Sequence, residues 1–300
     1  MFFDFESEIK CVGVEYKVNE LLSLRSSFKI GGPASLMVFP RTKDEMIMVL
    51  DAAIKHNVRF TVVGNGSNIL FDDAGYDGVV ISTIHMSAMQ ITGTVMWAEC
   101  GASFTAMALM AEKRNLTGLE FAYGIPGSCG GAVFMNAGAF GSEMSAVIRS
   151  AECYDIANQK VVTLTKDELK MSYRRSVFMD KNELIILSAK IDLKPGNKVD
   201  IHDVMMKNKL SREDKQPLKM PNAGSVFKRH EHMAVSKMID ECGLKGYRIG
   251  GAQVSGKHAG FIVNCGDATS SDVLNLIAHI KKVLSEKYGF EPECEIRYIR

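Results

Sequence analysis

The chain has 300 residues, of which 46% are hydrophobic and 24% charged, and its formal net charge is +1. This balance is typical of a folded globular protein and excludes both the basic field of a nucleic-acid-binding protein and an acidic tail. The length predicts two or three domains of about 100–150 residues each.

No uncharged apolar run reaches the ~18 residues that a membrane span needs, and the N-terminal segment is acidic without an apolar signal core. The seven cysteines occur singly, with no Cys-x-x-Cys pair. We therefore expect reduced thiols in a cytoplasmic protein and no zinc site.

The first part of the chain predicts a strand, a helix and a second strand that leads into a glycine-rich loop. The apolar run Leu36–Phe39 is the first strand, and Thr42 with Glu45 is a capping box for the helix that follows. The second strand, Arg59–Val63, is followed at once by five residues typical of an anion-binding nest. They are Gly64, Asn65, Gly66, Ser67 and Asn68. Ile69 stands where the Rossmann fingerprint needs its third glycine, so that fingerprint is absent.

The stretch from Leu119 to Gly141 is dense in glycine. Each glycine inside a helix or strand costs about 0.5–1 kcal/mol, so we expect neither a good helix interior nor an ordinary strand here. We expect instead a loop whose free N–H groups bind anionic oxygens, the alternative being a tight turn between packed elements. Its glycines are Gly124, Gly127, Gly130, Gly131, Gly138 and Gly141.

The later elements follow from apolar periodicity and turn signals, with a domain boundary near residue 195. The predicted elements are a strand at Val79–Ser82, a helix at Ser103–Asn115, a hairpin of Ala151–Ile156 and Val161–Leu164, a short helix capped by Thr165 and Glu168, a strand at Leu184–Leu193, helices at Asp200–Glu213 and Ala234–Cys242, a long helix from Thr269 to Gly289, and a terminal strand at Cys294–Ile299.

Three polar residues are candidates for chemistry. Arg174 is one of a pair of arginines beside hydroxyl groups, Ser225 follows Gly224 in a loop, and Glu295 lies in an otherwise apolar terminal strand. Each has a structural alternative: a surface ion pair, a turn hydroxyl or an edge charge. No histidine neighbours Ser225 in the sequence, so a hydrolase triad has no support.

His230, Glu231 and His232 could suggest a metal site. The two histidines are two positions apart, and such side chains do not converge easily on a helix or a strand. We therefore predict a surface loop there and no metal.

Segments along nearly the whole chain resemble, in the same order, the UDP-N-acetylenolpyruvoylglucosamine reductases, which are flavoenzymes of bacterial peptidoglycan synthesis. These segments are SFKIGGPA at 27–34, VVGNGSNIL at 62–70, GLEFAYGIPGSCGGAVFMNAGAFG at 118–141, SYRRSVF at 172–178, PNAGSVFKR at 221–229, GLKGYRIGGAQVSGKHAGFIVN at 243–264 and ECEIR at 293–297. The chain is similar to the shorter subclass, which lacks a tyrosine-bearing insertion.

This resemblance implies an α+β fold with an FAD-binding domain of the vanillyl-alcohol-oxidase (PCMH) type. It implies two FAD-binding subdomains, at 1–85 and 86–195, and a C-terminal α+β substrate domain at 196–300. The two glycine-rich loops would hold the FAD diphosphate. The residues implied for FAD are Gly64, Asn65, Gly66, Ser67, Asn68, Gly124, Gly127, Ser128, Gly130, Gly131, Asn136 and Gly138.

For the reaction, the resemblance implies that NADPH first reduces FAD and that hydride then passes from flavin N5 to C3 of the enolpyruvyl sugar nucleotide. Ser225 would protonate C2, while Arg174 and Glu295 would stabilise the substrate carboxylate. Lys245, His258 and Arg229 would contact the nucleotide sugar. Arg229 and His230 replace the Asn-Pro that often follows the motif lysine in this family.

Two alternatives belong to other classes: another FAD oxidoreductase of the same fold, or a catalytically silent nucleotide-sugar-binding protein. The motifs around Ser225 and Glu295 argue against the first, and the joint presence of Arg174, Ser225 and Glu295 argues against the second. We expect a monomer whose partner is a UDP-sugar, with no nucleic acid and no membrane.

Overall fold

The computed structural model describes residues 2–230 and 233–300, which form a mixture of helices and strands. The helices are α1 (Phe2–Cys11), α2 (Lys43–Lys55), α3 (Phe104–Lys113), α4 (Cys129–Met135), α5 (Met144–Val147), α6 (Lys198–Lys215), α7 (Val235–Glu241) and α8 (Ser270–Tyr288). The strands are β1 (Glu15–Leu21), β2 (Pro33–Phe39), β3 (Phe60–Val63), β4 (Ile69–Phe71), β5 (Tyr76–Ser82), β6 (Met89–Thr92), β7 (Val95–Glu99), β8 (Leu116–Thr117), β9 (Gly138–Ala139), β10 (Ser142–Glu143), β11 (Ile148–Asp155), β12 (Lys160–Thr165), β13 (Leu184–Asp192), β14 (Lys194–Pro195), β15 (Asn222–Ser225), β16 (Arg248–Ile249), β17 (Ala252–Val254), β18 (Phe261–Asn264) and β19 (Arg297–Ile299).

The chain divides into two compact units, each built from segments that are separate in the sequence. The first contains Met1–Val18, Leu36–Asn65 and Gly78–Leu210. The second contains Asn19–Ser35, Gly66–Asp77 and Ser211–Arg300. The predicted boundaries after residues 85 and 195 stay a prediction.

The first unit contains two sheets over one hydrophobic core. Strands β1, β2, β5 and β3 form one sheet in that order, and the other has the order β12-β11-β13-β7-β6. The predicted strand–helix–strand unit is confirmed as β2, α2 and β3, with β5 between the two strands. Thr42 caps α2 by accepting from the Glu45 N–H, but the Glu45 carboxylate accepts from the N–H of Arg41, so the reciprocal half of the predicted capping box is wrong.

The second unit is built around α8, which packs over the sheet of order β15-β18-β17-β16. The predicted start and end of this helix are confirmed. Thr269 and Asp272 form a capping box, and Gly289 follows the helix with φ +65°, which a glycine adopts at no steric cost. The Asp73 carboxylate also accepts hydrogen bonds from the N–H and hydroxyl of Ser270 at 2.7–2.9 Å.

Three predicted elements are wrong in extent or type. The stretch around residue 130 contains helix α4, where we predicted only a loop. Thr165 and Glu168 do bond each other, but only turns follow, because Lys170 takes a left-handed φ of +46° that stops the helix. The terminal strand starts at Arg297, since Cys294 is paired with Phe227 instead.

Within residues 2–230 and 233–300, none of the helices combines the length and the apolar character that crossing a membrane requires.

All seven cysteines are free thiols, and burial raises the pKa of the Cys100 and Cys153 thiols to about 12. These thiols are therefore poor nucleophiles at neutral pH.

Candidate active site

Gly64 and Asn65, the first two residues of the first glycine-rich loop, contact the second glycine-rich stretch inside the first unit. A Cβ on Gly64 would lie 2.1 Å from Ser128 Oγ, so only glycine fits at the end of β3. Asn65 Nδ2 donates to the carbonyl of Pro126 at 3.1 Å. The end of β3 and the start of α4 are therefore held within hydrogen-bonding distance, although they are far apart in the sequence.

The loop from Gly64 to Asn68 presents main-chain donors that the protein does not use. In the described ranges, none of the N–H groups of these five residues has a hydrogen-bond acceptor. Gly66 is buried with φ +61°, and a Cβ there would lie 2.3 Å from the carbonyl oxygen of Arg25. Closely spaced amides of this kind bind the oxygens of a phosphate. The loop thus fits the diphosphate of a dinucleotide cofactor such as FAD.

The second glycine-rich stretch uses its amides differently. The N–H of Gly130 donates to the carbonyl of Cys100 at 2.7 Å, and that of Gly131 donates to Ser128 Oγ at 3.3 Å. The expectation of free N–H groups at these two glycines is therefore wrong. Glycine is needed at 130 because a Cβ there would lie 2.9 Å from the Cβ of Cys100. A role of Gly130 and Gly131 in holding FAD stays a prediction that cannot rest on these amides.

The other residues predicted for FAD in this stretch are held in place by neighbours. Thr105 Oγ1 accepts from the N–H of Gly124 at 3.1 Å and donates to the carbonyl of Ile125 at 3.2 Å. The carbonyl of Gly127 accepts from the N–H of Phe104 at 3.0 Å. Sequence reasoning missed Thr105, because nothing in α3 marks one threonine as a partner of a later loop.

Asn136 ends α4 in a left-handed conformation, with its side chain fully buried. Its amide donates to Glu143 Oε1 and to the carbonyl of Ser172, and its Oδ1 accepts from the N–H of Ser145. These bonds use the side chain within the protein, so the structure shows a residue that holds a loop, and its predicted contact to FAD stays a prediction.

Arg174 lies at the tip of a two-residue turn in which Ser172 and Arg175 exchange both main-chain hydrogen bonds at 3.0 Å. Its φ of +53° is left-handed. The guanidinium donates to the carbonyls of Gly138 at 3.0 Å and Asn136 at 3.4 Å. These bonds fix the charged group beside the end of the second glycine-rich stretch. The alternative of a simple surface ion pair describes Arg175, which pairs with Asp180 at 2.7 Å.

Ser225 and Glu295 come together in the second unit. The N–H of Glu295 donates to the carbonyl of Val226, the neighbour of Ser225, at 2.7 Å. Asn68 Nδ2 donates to the carbonyl of Glu295 at 3.2 Å. The exposed hydroxyl of Ser225 has no hydrogen-bond partner among residues 2–230 and 233–300. It is therefore available to a bound molecule.

His258 and Lys245 are also in the second unit and influence each other electrostatically. Burial lowers the pKa of His258 below its ordinary value, and the Lys245 charge lowers it further. Nδ1 of His258 accepts from the N–H of Gly260 at 3.1 Å, so the neutral ring carries its proton on Nε2. Lys245 Nζ donates to Asp240 at 2.6 Å. Arg229, the third residue predicted to contact the nucleotide sugar, has an exposed side chain.

Of the possible metal site at 230–232, Glu231 and His232 lie outside the described residues. Elsewhere in the described ranges, no group of three or more His, Cys, Asp or Glu side chains is arranged to hold a metal ion.

Comparison with known proteins identifies the family. A family model described as "UDP-N-acetylenolpyruvoylglucosamine reductase, C-terminal domain" matches residues 216–299, and one described as "FAD binding domain" matches residues 34–165. The UDP-N-acetylenolpyruvoylglucosamine reductase of Caldanaerobacter subterraneus subsp. tengcongensis is 45% identical over 282 residues, which cover 94% of this chain and 93% of that protein. The chain belongs to the UDP-N-acetylenolpyruvoylglucosamine reductase family.

Two further members of this family agree. The reductase of Caldicellulosiruptor bescii is 43% identical over 298 residues, covering 99% of this chain and 94% of that protein. The crystal structure of the reductase from Thermus caldophilus superposes with a TM-score of 0.81 at 30% identity, covering 96% of this chain and 99% of that one. The resemblance and the predicted α+β fold with a vanillyl-alcohol-oxidase-type FAD-binding domain are confirmed.

Proposed function

We propose that this protein reduces UDP-N-acetylenolpyruvoylglucosamine to UDP-N-acetylmuramate, a peptidoglycan precursor, with FAD as cofactor and NADPH as electron donor. Family membership and the matched FAD-binding domain support a flavin-dependent reductase of this sugar nucleotide. The observation that carries the proposal is the loop Gly64–Asn68, whose amides have no acceptor in the described parts of the chain.

The loop would hold the FAD diphosphate through main-chain N–H groups, which need no positive side chain to bind an anion. Gly64 and Asn65 are held against Ser128 and Pro126, so the donors are oriented before the cofactor binds. When bound, the flavin supplies the hydride chemistry that amino-acid side chains lack.

Arg174 would bind the substrate carboxylate. A guanidinium matches a carboxylate with two parallel donors and keeps its charge at any working pH. Two main-chain carbonyls orient the Arg174 group, which reduces the ordering cost when substrate binds. Negative charge grows on the substrate during reduction, and a fixed cation stabilises that charge most in the transition state.

Ser225 would deliver a proton to C2 of the enolpyruvyl group. A serine hydroxyl is a weak acid, so it acts only on a strongly basic carbon held in line with it, and such a donor contributes about 10²–10⁴-fold. The Ser225 hydroxyl has no acceptor among the described residues, which leaves it available for this transfer. Glu295 would serve in its protonated form, or share a proton with the substrate, because a bare carboxylate would repel the developing charge.

Lys245, His258 and Arg229 would contact the nucleotide part of the substrate. The neutral His258 ring offers the Nε2 proton to a phosphate or sugar oxygen, and its other nitrogen is held by Gly260. Lys245 and Arg229 supply positive charge toward a diphosphate.

The Ser225→Ala variant tests this proposal through the two half-reactions. We expect NADPH to reduce the bound flavin at the wild-type rate, because Ser225 takes no part in that step. We expect reoxidation by the enolpyruvyl sugar nucleotide to be about 10²–10⁴-fold slower. Stopped-flow absorbance of the flavin measures both rates. Reoxidation at the wild-type rate would remove Ser225 as the proton donor, and a purified protein without a flavin spectrum would remove the proposed activity.

A further inference from the structure

Ser27 lies between the Gly64–Asn68 loop and the strand that ends in Ser225. Its N–H donates to the carbonyl of Gly66 at 3.2 Å. Its hydroxyl donates to the carbonyl of Asn222 at 2.7 Å, and the N–H of Asn222 donates back to the carbonyl of Ser27 at 3.2 Å. Ser27, Gly66, Asn222 and Ser225 all belong to the second unit. One residue thus joins the loop to the first residue of β15.

The pairing of strand β15 with β18 is irregular between Asn222 and Ser225. It is interrupted there, since Asn222 pairs with Val263 and Ser225 with Phe261 across a register shift. Gly224, within the interruption, has φ +80° and donates to Asn222 Oδ1 at 2.9 Å. On the C-terminal side of Ser225, the chain is fixed by the N–H of Val226, which donates to the carbonyl of Gly260 at 2.9 Å. On the N-terminal side of Ser225, the position of the chain depends on the hydrogen bonds that Asn222 makes.

Ser27 holds Asn222 at that point. The 2.7 Å bond from its hydroxyl is the shorter of the two that join the residues. Asn222 supports the turn at Gly224 through Oδ1, and its amide nitrogen is bound to the carbonyl of Met220 at 2.7 Å. Because only two residues separate Asn222 from Ser225, a displacement of the Asn222 backbone would also displace the Ser225 hydroxyl.

We infer that Ser27 is a positioning residue for the proton transfer, which sets Ser225 relative to Gly66 in the loop proposed to hold the cofactor diphosphate. This inference rests on the proposed role of Ser225. Ser27 acts through Asn222 and makes no contact with the reacting atoms, since its hydroxyl is bonded to a carbonyl of the protein. A displacement of about 1 Å at a reacting group can cost 10²-fold in rate, so the position of Asn222 matters to the reaction.

The neighbouring serine supplies a matched control. Ser26 is buried, and its hydroxyl donates within its own loop to the carbonyl of Ile30 at 3.5 Å. Ser26→Ala therefore removes a hydroxyl from the same loop without touching Asn222. Ser27→Thr keeps the hydroxyl and is the conservative variant for rescue. Ser27→Cys, which keeps only a weak donor, replaces Ser27→Ala if the alanine variant does not fold.

Stopped-flow measurement of both half-reactions in the FAD-loaded full-length protein tests the inference. In Ser27→Ala we expect reduction of the flavin by NADPH at the wild-type rate and reoxidation by the enolpyruvyl sugar nucleotide about 10- to 100-fold slower. We expect both rates to be near wild type in Ser27→Thr and Ser26→Ala. A larger solvent deuterium isotope effect on reoxidation in Ser27→Ala would show that proton delivery is the slowed step.

Wild-type reoxidation in Ser27→Ala, or an equal loss in both half-reactions, would overturn the inference. So would an equal effect in Ser26→Ala, because the loss would then reflect general damage to the loop. These outcomes are distinct from failure of the proposed function, in which Ser225→Ala itself reoxidises at the wild-type rate.

Discussion

Arg174 and Arg175 show how neighbouring residues of one type acquire different roles. The Arg175 side chain is 59% exposed and pairs with Asp180, as a surface arginine commonly does. Arg174 has a left-handed backbone and donates to two main-chain carbonyls. Only the second arrangement fixes the guanidinium in one orientation.

We expect Arg174→Lys to lower kcat/KM for the enolpyruvyl sugar nucleotide by about 10- to 100-fold, because an ammonium cannot reproduce the two parallel donors and a charged hydrogen bond contributes about 1.5–3 kcal/mol. The rate of flavin reduction by NADPH should not change. Arg175→Lys is the matched control and should retain wild-type steady-state kinetics. Equal losses in the two variants would show that the turn, rather than the Arg174 group, had been damaged.

The two glycine-rich loops show which residue contacts the sequence could predict and which it could not. The run Gly64–Asn68 predicted a nest, and its amides do lack acceptors in the described parts of the chain. The same composition at Gly130 predicted free amides wrongly, because Cys100 supplies the acceptor from a distant segment. Ser225 and Glu295 were candidates by sequence, whereas the links made by Ser27 and Thr105 depend on contacts that spacing does not reveal.

Helix α4 is an element that composition alone did not predict. Its glycines lie in the first turn, where helical N–H groups have no intrahelical acceptor, so the usual cost of glycine is offset by close packing and by bonds to Cys100 and Ser128. The two glycines differ in what surrounds them. Gly130 faces the Cβ of Cys100, whereas Gly131 is exposed.

We expect Gly130→Ala to lower the free energy of unfolding by about 1–3 kcal/mol, because its Cβ would overlap with Cys100 at 2.9 Å. Gly131→Ala should leave stability unchanged or raise it by up to about 1 kcal/mol, because alanine is the better helix former and its Cβ finds only Ser128 Oγ at 3.4 Å. Urea unfolding monitored by circular dichroism compares the two. A Gly130→Ala variant as stable as Gly131→Ala would contradict the packing argument.

Helices with local signals were predicted well, and short strands were not. The boundaries of α8 follow from Thr269, Asp272 and Gly289, all within the helix or next to it. Strands β4 and β19 have three residues each and exist because they pair in parallel with each other. A three-residue segment has too little periodicity to be recognised, and its partner lies at the other end of the sequence.

At the scale of the whole molecule, the second unit is not a continuous piece of chain. Its core contains Phe28, Ile30 and Leu70 together with residues from α7 and α8. These three side chains are at most 2% exposed, and they come from segments outside the predicted C-terminal domain. That domain, taken alone, would expose the surface that they cover.

A fragment of residues 196–300 tests the predicted boundary. We expect it to lack a cooperative thermal transition, because it has neither β4 nor the aromatic and aliphatic side chains of residues 19–35. Burial of each such side chain contributes about 1.5–3 kcal/mol, comparable to a third of the stability of a small domain. Full-length protein is the control in the same calorimetric scan. A sharp transition from the fragment would show that residues 196–300 form a domain of their own.

The parallel pairing of β4 with β19 has a consequence for how the protein is made. Tyr298, which bonds Asp72 beside this pair, follows it by 226 residues. At roughly 5–20 residues per second, the ribosome adds β19 about 10–45 s after β4 has been synthesised. During that interval the amide edge of β4 lacks its β19 partner, so we expect this edge to be open to a chaperone that shields nascent chains.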